Sequence, residues 1–206
     1  MELSDINSPL LRELALRAPG TFQHSLQVAN LAEEAILAVG GSSLLVRTGA
    51  LYHDIGKMEM PMYFIENQYT GVNPHDELSF EDSAKIITGH VNKGVEIAKK
   101  NNLPDPLIDF IRTHHGTTKA QYFYMSFLKN FPGQEVDESI FQYPGPIPFS
   151  KETAVLMMAD SVEAASRSLK KYDAEIIGDL VEKVIDRQIE QQQFLNADIT
   201  FKNINS

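Results

Sequence analysis

The chain has 206 residues, 43% of them hydrophobic and 22% charged, with a formal net charge of −10 and no cysteine. That length suffices for one domain with a sizeable core, and the absence of cysteine excludes disulfides and thiolate metal sites. The negative charge argues against a general surface for nucleic-acid polymers or anionic lipid, which clustered Lys and Arg would hold, so an anionic small substrate needs local positive charge, of which bound metal ions are the strongest source.

In chain order, a short amphipathic helix is predicted over Leu10–Ala18, broken by Pro19-Gly20, with Thr21 as cap of a second helix from about Phe22 to Val39. His24 lies in the first turn of that second helix, and Gly40-Gly41 ends it. Ser42 or Ser43 can cap a third helix, Leu44 to about Ile55, apolar nearly all round and therefore central. His53 and Asp54 fall in its last turn, with Gly56 as its stop. Met58–Ser79, holding Pro61, Gly71 and Asn73-Pro74, reads as a long loop that carries His75 and Asp76; loops of this length are usually functional or mobile.

Helical pattern resumes from Phe80 to about Lys100, with a candidate division around Thr88-Gly89 and His90 near the second start. After the break at Asn101–Pro104, Asp105 as cap and Pro106 at the first position open a helix over Leu107–His115 that ends in His114-His115-Gly116. Thr117–Lys129 reads as an aromatic-rich helix. Asn130–Ser150 is a second long loop, because Pro132-Gly133 and the run Tyr143–Pro148 cannot be regular structure. Lys151–Lys171 is a buried helix with Asp160 among Ala and Met, and Asp173–Gln193 is amphipathic, with a short tail from Asn196. Period-2 strands are missing, so the expected class is all-α. No apolar run approaches the roughly 20 residues of a membrane span, and the first residues lack the basic start and apolar run of a signal peptide.

His24, His53-Asp54, His90, His114-His115 and Asp160 come from five helices or helix ends, and each is a nitrogen or oxygen donor. Facing helices of a bundle build metal sites in this way. Five imidazoles and two carboxylates exceed the needs of one ion but suit two ions about 3.5–4 Å apart. Adjacent helical residues diverge by about 100°, so His53 and Asp54 cannot grip one ion from a common face, but the aspartate can bridge neighbouring ions. Taken singly, His24 or His90 at a helix start reads as a capping or surface residue, and a His-His pair at a helix end can answer the helix dipole. Asp160 is harder to dismiss, because a buried carboxylate needs a partner. The order and context of all seven together carry the metal reading.

That pattern resembles the HD-domain superfamily of metal-dependent phosphohydrolases, in its two-metal form. HDIGK (53–57), YFIENQ (63–68), NPHD (73–76), HHGT (114–117), YFY (122–124), YPGPIP (143–148) and MADSVEAASRS (158–168) are similar to the cytoplasmic HD domain of the seven-transmembrane HD family of cyclic di-AMP phosphodiesterases. HHGT, without the HHE and GYP motifs of the cyclic di-GMP branch, lowers that alternative. The resemblance runs from about Leu10 to Ile204 and implies one HD phosphohydrolase domain over 1–206, an all-α bundle with two long loops, excised from a membrane-anchored protein with Met1 an addition at the cut.

The resemblance further implies hydrolysis of cyclic di-AMP to linear pApA, terminating second-messenger signalling at the cytoplasmic face of a bacterial inner membrane, with no direct membrane contact by this domain and an open oligomeric state. It assigns His24, His53, Asp54 and Asp160 to one ion and Asp54, His90, His114 and His115 to the other. Imidazole and carboxylate donors point to iron or manganese. Lys57 is the expected catalytic partner of Asp54 at the scissile phosphate. Arg167 is expected at the second phosphate or in a surface ion pair, His75 with Asp76 in the pocket or ordering the loop, and Tyr63, Tyr122 and Tyr124 in adenine stacking or in the core. The competing readings are a phosphohydrolase for another cyclic dinucleotide or nucleotide, and a catalytically silent HD module that senses a nucleotide.

Overall fold

A computed structural model describes residues 2–69 and 71–200 of the chain; positions 201–204 of the expected resemblance lie outside the described residues. Among the described residues there are eight α-helices and no strand: α1 Pro9–Arg17, α2 Pro19–Val39, α3 Ser43–Tyr52, α4 Phe80–Lys100, α5 Asp105–Thr113, α6 Gln121–Asn130, α7 Lys151–Ser166 and α8 Ala174–Glu190. The all-α expectation holds, and no helix among those residues is long and apolar enough to cross a membrane.

The helices form around one main core. Leu11 and Leu14 of α1, Val28, Ala32 and Ile36 of α2, Val46 and Leu51 of α3, Phe110 and Ile111 of α5 and Leu156 of α7 are buried together. Each large aliphatic side chain removed from water contributes roughly 1.5–3 kcal/mol. α2 packs on both α3 and α7, and α4 packs on α5 and on the turn that follows α3. A smaller cluster of Ala84, Ala120, Phe127 and Phe141 takes in Phe80, Ile87, Phe123 and Tyr124. The aromatic pattern of α6 is therefore largely core.

Several boundaries differ from expectation for local reasons. α2 begins at Pro19, whose fixed φ suits a first helical position, so Thr21 lies inside the helix. Its backbone N–H is satisfied from across the chain by Asn67 Oδ1 (3.1 Å), whose own amide donates to Thr21 Oγ1 (2.8 Å). α3 is capped by Ser42, which accepts from Leu45 N, and ends at Tyr52, leaving His53 as its C-cap and Asp54 at the head of a 3-10 turn over Ile55–Glu59. Gly56 is not a left-handed stop, since its φ is not among the positive ones. α4 runs unbroken through Thr88-Gly89. Asp105 and Pro106 are the first and second residues of α5, with Pro104 before them as N-cap.

The first loop is a series of 3-10 turns at Pro61–Tyr63, Ile65–Asn67 and Pro74–Glu77. Residues 117–120 are not helical; Lys119 pairs as an isolated bridge with Gln142 of the second loop, which holds a 3-10 turn at Glu138–Phe141. α7 ends at Ser166, short of Lys171, with Arg167 as its C-cap. Asp173 caps α8 by accepting from Ile176 N (2.9 Å).

Candidate metal centre and its cleft

The packing of α2, α3, α4, α5 and α7 brings all seven predicted ligands to one buried place. Two groups have donor atoms within 4.8 Å of one another: Asp54 with His90, His114 and His115, and His24 with His53 and Asp160. Asp54 faces both groups, one oxygen to each. Its Oδ1 lies 3.2 Å from His90 Nε2 and 3.5 Å from His114 Nε2, and its Oδ2 lies 3.3 Å from His53 Nε2 and 3.6 Å from His24 Nε2. Asp160 Oδ1 is 2.9 Å from His24 Nε2 and 3.6 Å from His53 Nε2, and its Oδ2 is 3.7 Å from His115 Nδ1.

The ring orientations follow from the helices. His53, His90 and His114 each donate Nδ1–H to the backbone carbonyl three residues back: Ala50 O (2.6 Å), Ile87 O (2.6 Å) and Ile111 O (2.8 Å). A neutral imidazole whose Nδ1 donates carries its lone pair on Nε2. In the deprotonated form that binds metal, the Nε2 lone pairs of His53, His90 and His114 all turn toward the Asp54 carboxylate, and the Nε2 atoms of His90 and His114 approach to 3.1 Å. Acceptor facing acceptor is repulsive unless a cation lies between them. Asp54 Oδ1 and Oδ2 and His53 Nε2 are buried without a hydrogen-bond partner. Lys57 Nζ does reach Asp54 Oδ2 at 2.7 Å, so that contact is an ion pair off the hydrogen-bond direction. Orphaned buried polar atoms of this kind are costly, and the donor set fits a divalent metal site.

Charge points the same way. Among the described residues, Asp54, Glu66, Asp160 and Glu163 face Lys57 and Arg167 as their permanent cations. Burial alone would push the two aspartates up, yet Lys57 and His53 hold Asp54, and His24 and His53 hold Asp160, well below the usual carboxylate range. Burial likewise disfavours an imidazolium at His53, but Asp54 and Asp160 raise it to about 10. At His114 burial prevails over Asp54, with His53 and His90 adding to it, and lowers the ring to about 4; burial and His114 drive His115 well down. The carboxylates therefore favour positive charge at His53 and at His24, whose ring Asp160 and Glu163 raise against the cost of its burial, while His114 and His115 stay neutral; a divalent cation answers the same field.

A cleft of about 620 Å³ opens onto this centre, lined among others by His24, Lys57, Phe64, Glu66, His90, His115, Tyr143, Asp160 and Arg167. Lys57 is held between Asp54 and Glu66 Oε1 (2.9 Å), with its ammonium 5.0 Å from the Phe64 ring centroid. Arg167 lies at the rim, paired with Glu163 through Nε (3.1 Å) and Nη2 (2.7 Å). Tyr63 and His75 line a neighbouring cleft of about 500 Å³ with Tyr122 and Phe123; it shares Phe64, Ile65, Glu66 and Ile87 with the first. There His75 donates from Nε2 to Tyr63 O (2.9 Å). Tyr124 lines neither cleft: its ring packs on Phe141 and under Lys119, and its hydroxyl donates to Glu138 (2.5 Å).

Residue-by-residue reading missed Glu66, Tyr143 and Glu163. Glu163 accepts from His24 Nδ1 at 2.5 Å, and Arg167 Nη2 lies 2.7 Å from that same nitrogen. Glu163 is an acceptor, so His24 Nδ1 keeps its hydrogen and donates it to Glu163, while Arg167 donates to the same carboxylate rather than to Nδ1. The signal was present in sequence: Asp160, Glu163 and Arg167 are three and four residues apart, on one face of α7. A carboxylate behind a ligating imidazole fixes its tautomer and strengthens it as a ligand. Glu163→Ala is therefore expected to weaken metal binding about 10–100-fold, read by calorimetric titration with Mn²⁺; unchanged affinity would reduce Glu163 to an anchor for Arg167.

The family model for the HD domain matches residues 21–165. Over 204 residues the chain is 45% identical to the cyclic-di-AMP phosphodiesterase PgpH of Listeria monocytogenes, which covers 99% of this chain and 28% of that protein. It is 44% identical over 206 residues to PgpH of Bacillus subtilis, covering 100% of this chain and 29% of that protein. The chain thus spans less than a third of the length of these curated relatives. The crystal structure of the L. monocytogenes PgpH HD domain in complex with cyclic-di-AMP matches the fold with a TM-score of 0.92 at 44% identity, covering 98% of this chain and 93% of that one.

Proposed function

The chain belongs to the HD-domain family, and from that premise we propose that it is a two-metal phosphodiesterase that opens cyclic di-AMP to linear pApA. The observation that carries the proposal is Asp54, whose two oxygens face two separate sets of ring nitrogens. The HD-domain structure with cyclic-di-AMP bound, at 44% identity, supports the choice of substrate. The function extends to ending a cyclic dinucleotide signal, by a single domain that in a longer protein lies at the cytoplasmic face of the membrane.

In this reading His24, His53, Asp54 and Asp160 hold one divalent ion and Asp54, His90, His114 and His115 the other, with iron or manganese suited to imidazole and carboxylate donors. When bound, such a pair supplies an activated water and positive charge for the phosphate oxygens. The protein groups do the rest. Glu163 holds His24 in the tautomer that presents Nε2, and the carbonyls of Ala50, Ile87 and Ile111 do the same for His53, His90 and His114. Lys57, kept protonated by Asp54 and Glu66 against the cost of its burial, places a fixed cation on the cleft wall for the scissile phosphate or its leaving oxygen. Arg167 at the rim can take the second phosphate with its free guanidinium edge. Phe64 and the neighbouring cleft with Tyr63, His75 and Tyr122 offer apolar faces to a base.

The test is chromatography of products from cyclic di-AMP and cyclic di-GMP, each with added Mn²⁺ and with chelator. The expected outcome is chelator-sensitive formation of pApA with the guanine dinucleotide slower. Equal turnover of both would remove the substrate assignment, and turnover that survives exhaustive chelation would remove the metal mechanism.

A further inference from the structure

The corner that carries His114 and His115 is held from outside its own helix. α5 ends at Thr113, and the chain turns through Gly116 at φ +51, in the left-handed region. Gly116 N donates to Thr113 O (2.8 Å), and Thr118 donates from its backbone N (3.1 Å) and its hydroxyl (2.8 Å) to His115 O. The backbone N–H and hydroxyl of Thr117 are taken by one side chain 76 residues further along the chain. Gln193 Oε1 accepts from Thr117 N (3.0 Å), and Gln193 Nε2 donates to Thr117 Oγ1 (3.1 Å).

Gln193 is built for this contact. It is 2% exposed, rare for a glutamine. Its own position is set by the C-terminal turn of α8, where Gln192 takes φ +58 and Gln193 N donates to Gln188 O (3.0 Å). The fit is close enough that a Cβ at Gly116 would lie 2.1 Å from Gln193 Oε1. One turn earlier, Gln188 Nε2 donates to Ser161 Oγ (2.8 Å) and Met157 O (3.3 Å) on α7, on either side of Asp160. The end of α8 thus ties the Asp160 helix to the His114-His115 corner.

We infer that Gln193 is a positioning residue for the metal centre: by holding Thr117 it sets the corner in which His114 and His115 join Asp54 and His90. The inference rests on the two-metal reading, and it adds α8, a helix that contributes no ligand, to the groups that assemble the site. Gln193→Leu keeps the volume and removes both bonds to Thr117, together with the local bond from Gln193 Nε2 to Gln191 O (2.9 Å). Val184→Ala, which trims α8 itself nine residues before Gln193, is the control for general loosening.

Two readouts separate the inference from the reading beneath it. In metal-free protein, exchange of the Thr117 amide is expected to accelerate about tenfold or more in Gln193→Leu, as befits the loss of a buried hydrogen bond, and to stay near wild type in Val184→Ala. With Mn²⁺ added, wild type is expected to give an exchange-coupled electron paramagnetic resonance spectrum, and Gln193→Leu an isolated-ion spectrum with affinity for the second ion about 10-fold lower. Wild-type exchange at Thr117 in Gln193→Leu overturns the inference, whatever metal the protein binds. So does a coupled spectrum at wild-type affinity in that variant, or equal weakening by Val184→Ala. Failure of wild type itself to bind a second ion would overturn the two-metal reading, while the amide exchange still decides the role of Gln193 in the corner.

Discussion

Asp54→Asn is expected to abolish the proposed phosphodiesterase turnover, lowering kcat/KM by about a thousandfold or more, equivalent to about 4 kcal/mol of transition-state stabilisation. The amide keeps the shape of the carboxylate, but it presents one oxygen where two are needed and carries no charge. Each Asp54 oxygen faces a different group of imidazoles, so the loss should fall on both groups together. Metal content measured by inductively coupled plasma spectrometry is expected to drop with activity. A second consequence distinguishes this variant from other ligand substitutions. Lys57 loses its 2.7 Å partner and is left with Glu66 alone, so the variant should also be less stable than wild type in chelator, because a buried ammonium has lost half of its compensation. An active, metal-replete Asp54→Asn protein would end the two-metal proposal.

Gly56→Ala is expected to destabilise the protein by about 3 kcal/mol or more, a fall in Tm of roughly 6–12 °C for a domain of this size. A Cβ at Gly56 would lie 1.9 Å from His90 O and 2.5 Å from Gly94 N, both backbone atoms of α4. Backbone cannot step aside as a flexible side chain can, so the turn and the helix must separate, and His90 moves with the helix. Metal binding should weaken in step with stability. Gly89→Ala, on the same helix, has nothing within 4 Å of its Cβ and should gain about 0.5–1 kcal/mol from helix propensity. Thermal denaturation of the pair in chelator checks both signs. Equal effects would mean that close approach at Gly56 is not what requires glycine there.

These two glycines illustrate what local sequence rules could reach. HDIGK suggests a helix end at Gly56, and Thr88-Gly89 suggests a break; neither glycine serves that purpose. α4 continues through Gly89 because ordinary helical φ and ψ suit glycine too, and the helix is secured at its ends, with Ser79 accepting from Asp82 N (3.0 Å) and Asn101 N donating to Ile97 O (3.0 Å). Gly56 is required by another helix 34 residues away in sequence, at His90. A partner distant in sequence likewise explains the start of α2: Thr21 bonds there not as the helix cap but to Asn67 in the loop. Tyr124, for which the sequence allows adenine stacking or core, packs against the small aromatic cluster, because one residue type serves packing or binding with the same local pattern.

Helical class, approximate helix positions and the seven donors that meet in the centre are all legible in the amino-acid sequence. Helical periodicity marks elements, and oxygen and nitrogen donors recurring at helix ends in a chain without cysteine mark a site. The family resemblance already divides those donors between two ions; the contacts that orient them emerge in the folded structure alone. Which oxygen of Asp54 faces which rings, that Glu163 stands behind His24, that Glu66 holds Lys57 against Asp54, and that Gln193 holds the corner after His115 are all relations between elements distant in the chain. Residue spacing carries such information only within a helix, where three or four positions make a face; between helices the pairing is set by how apolar surfaces pack, and buried polar groups find their partners once that packing has brought them together.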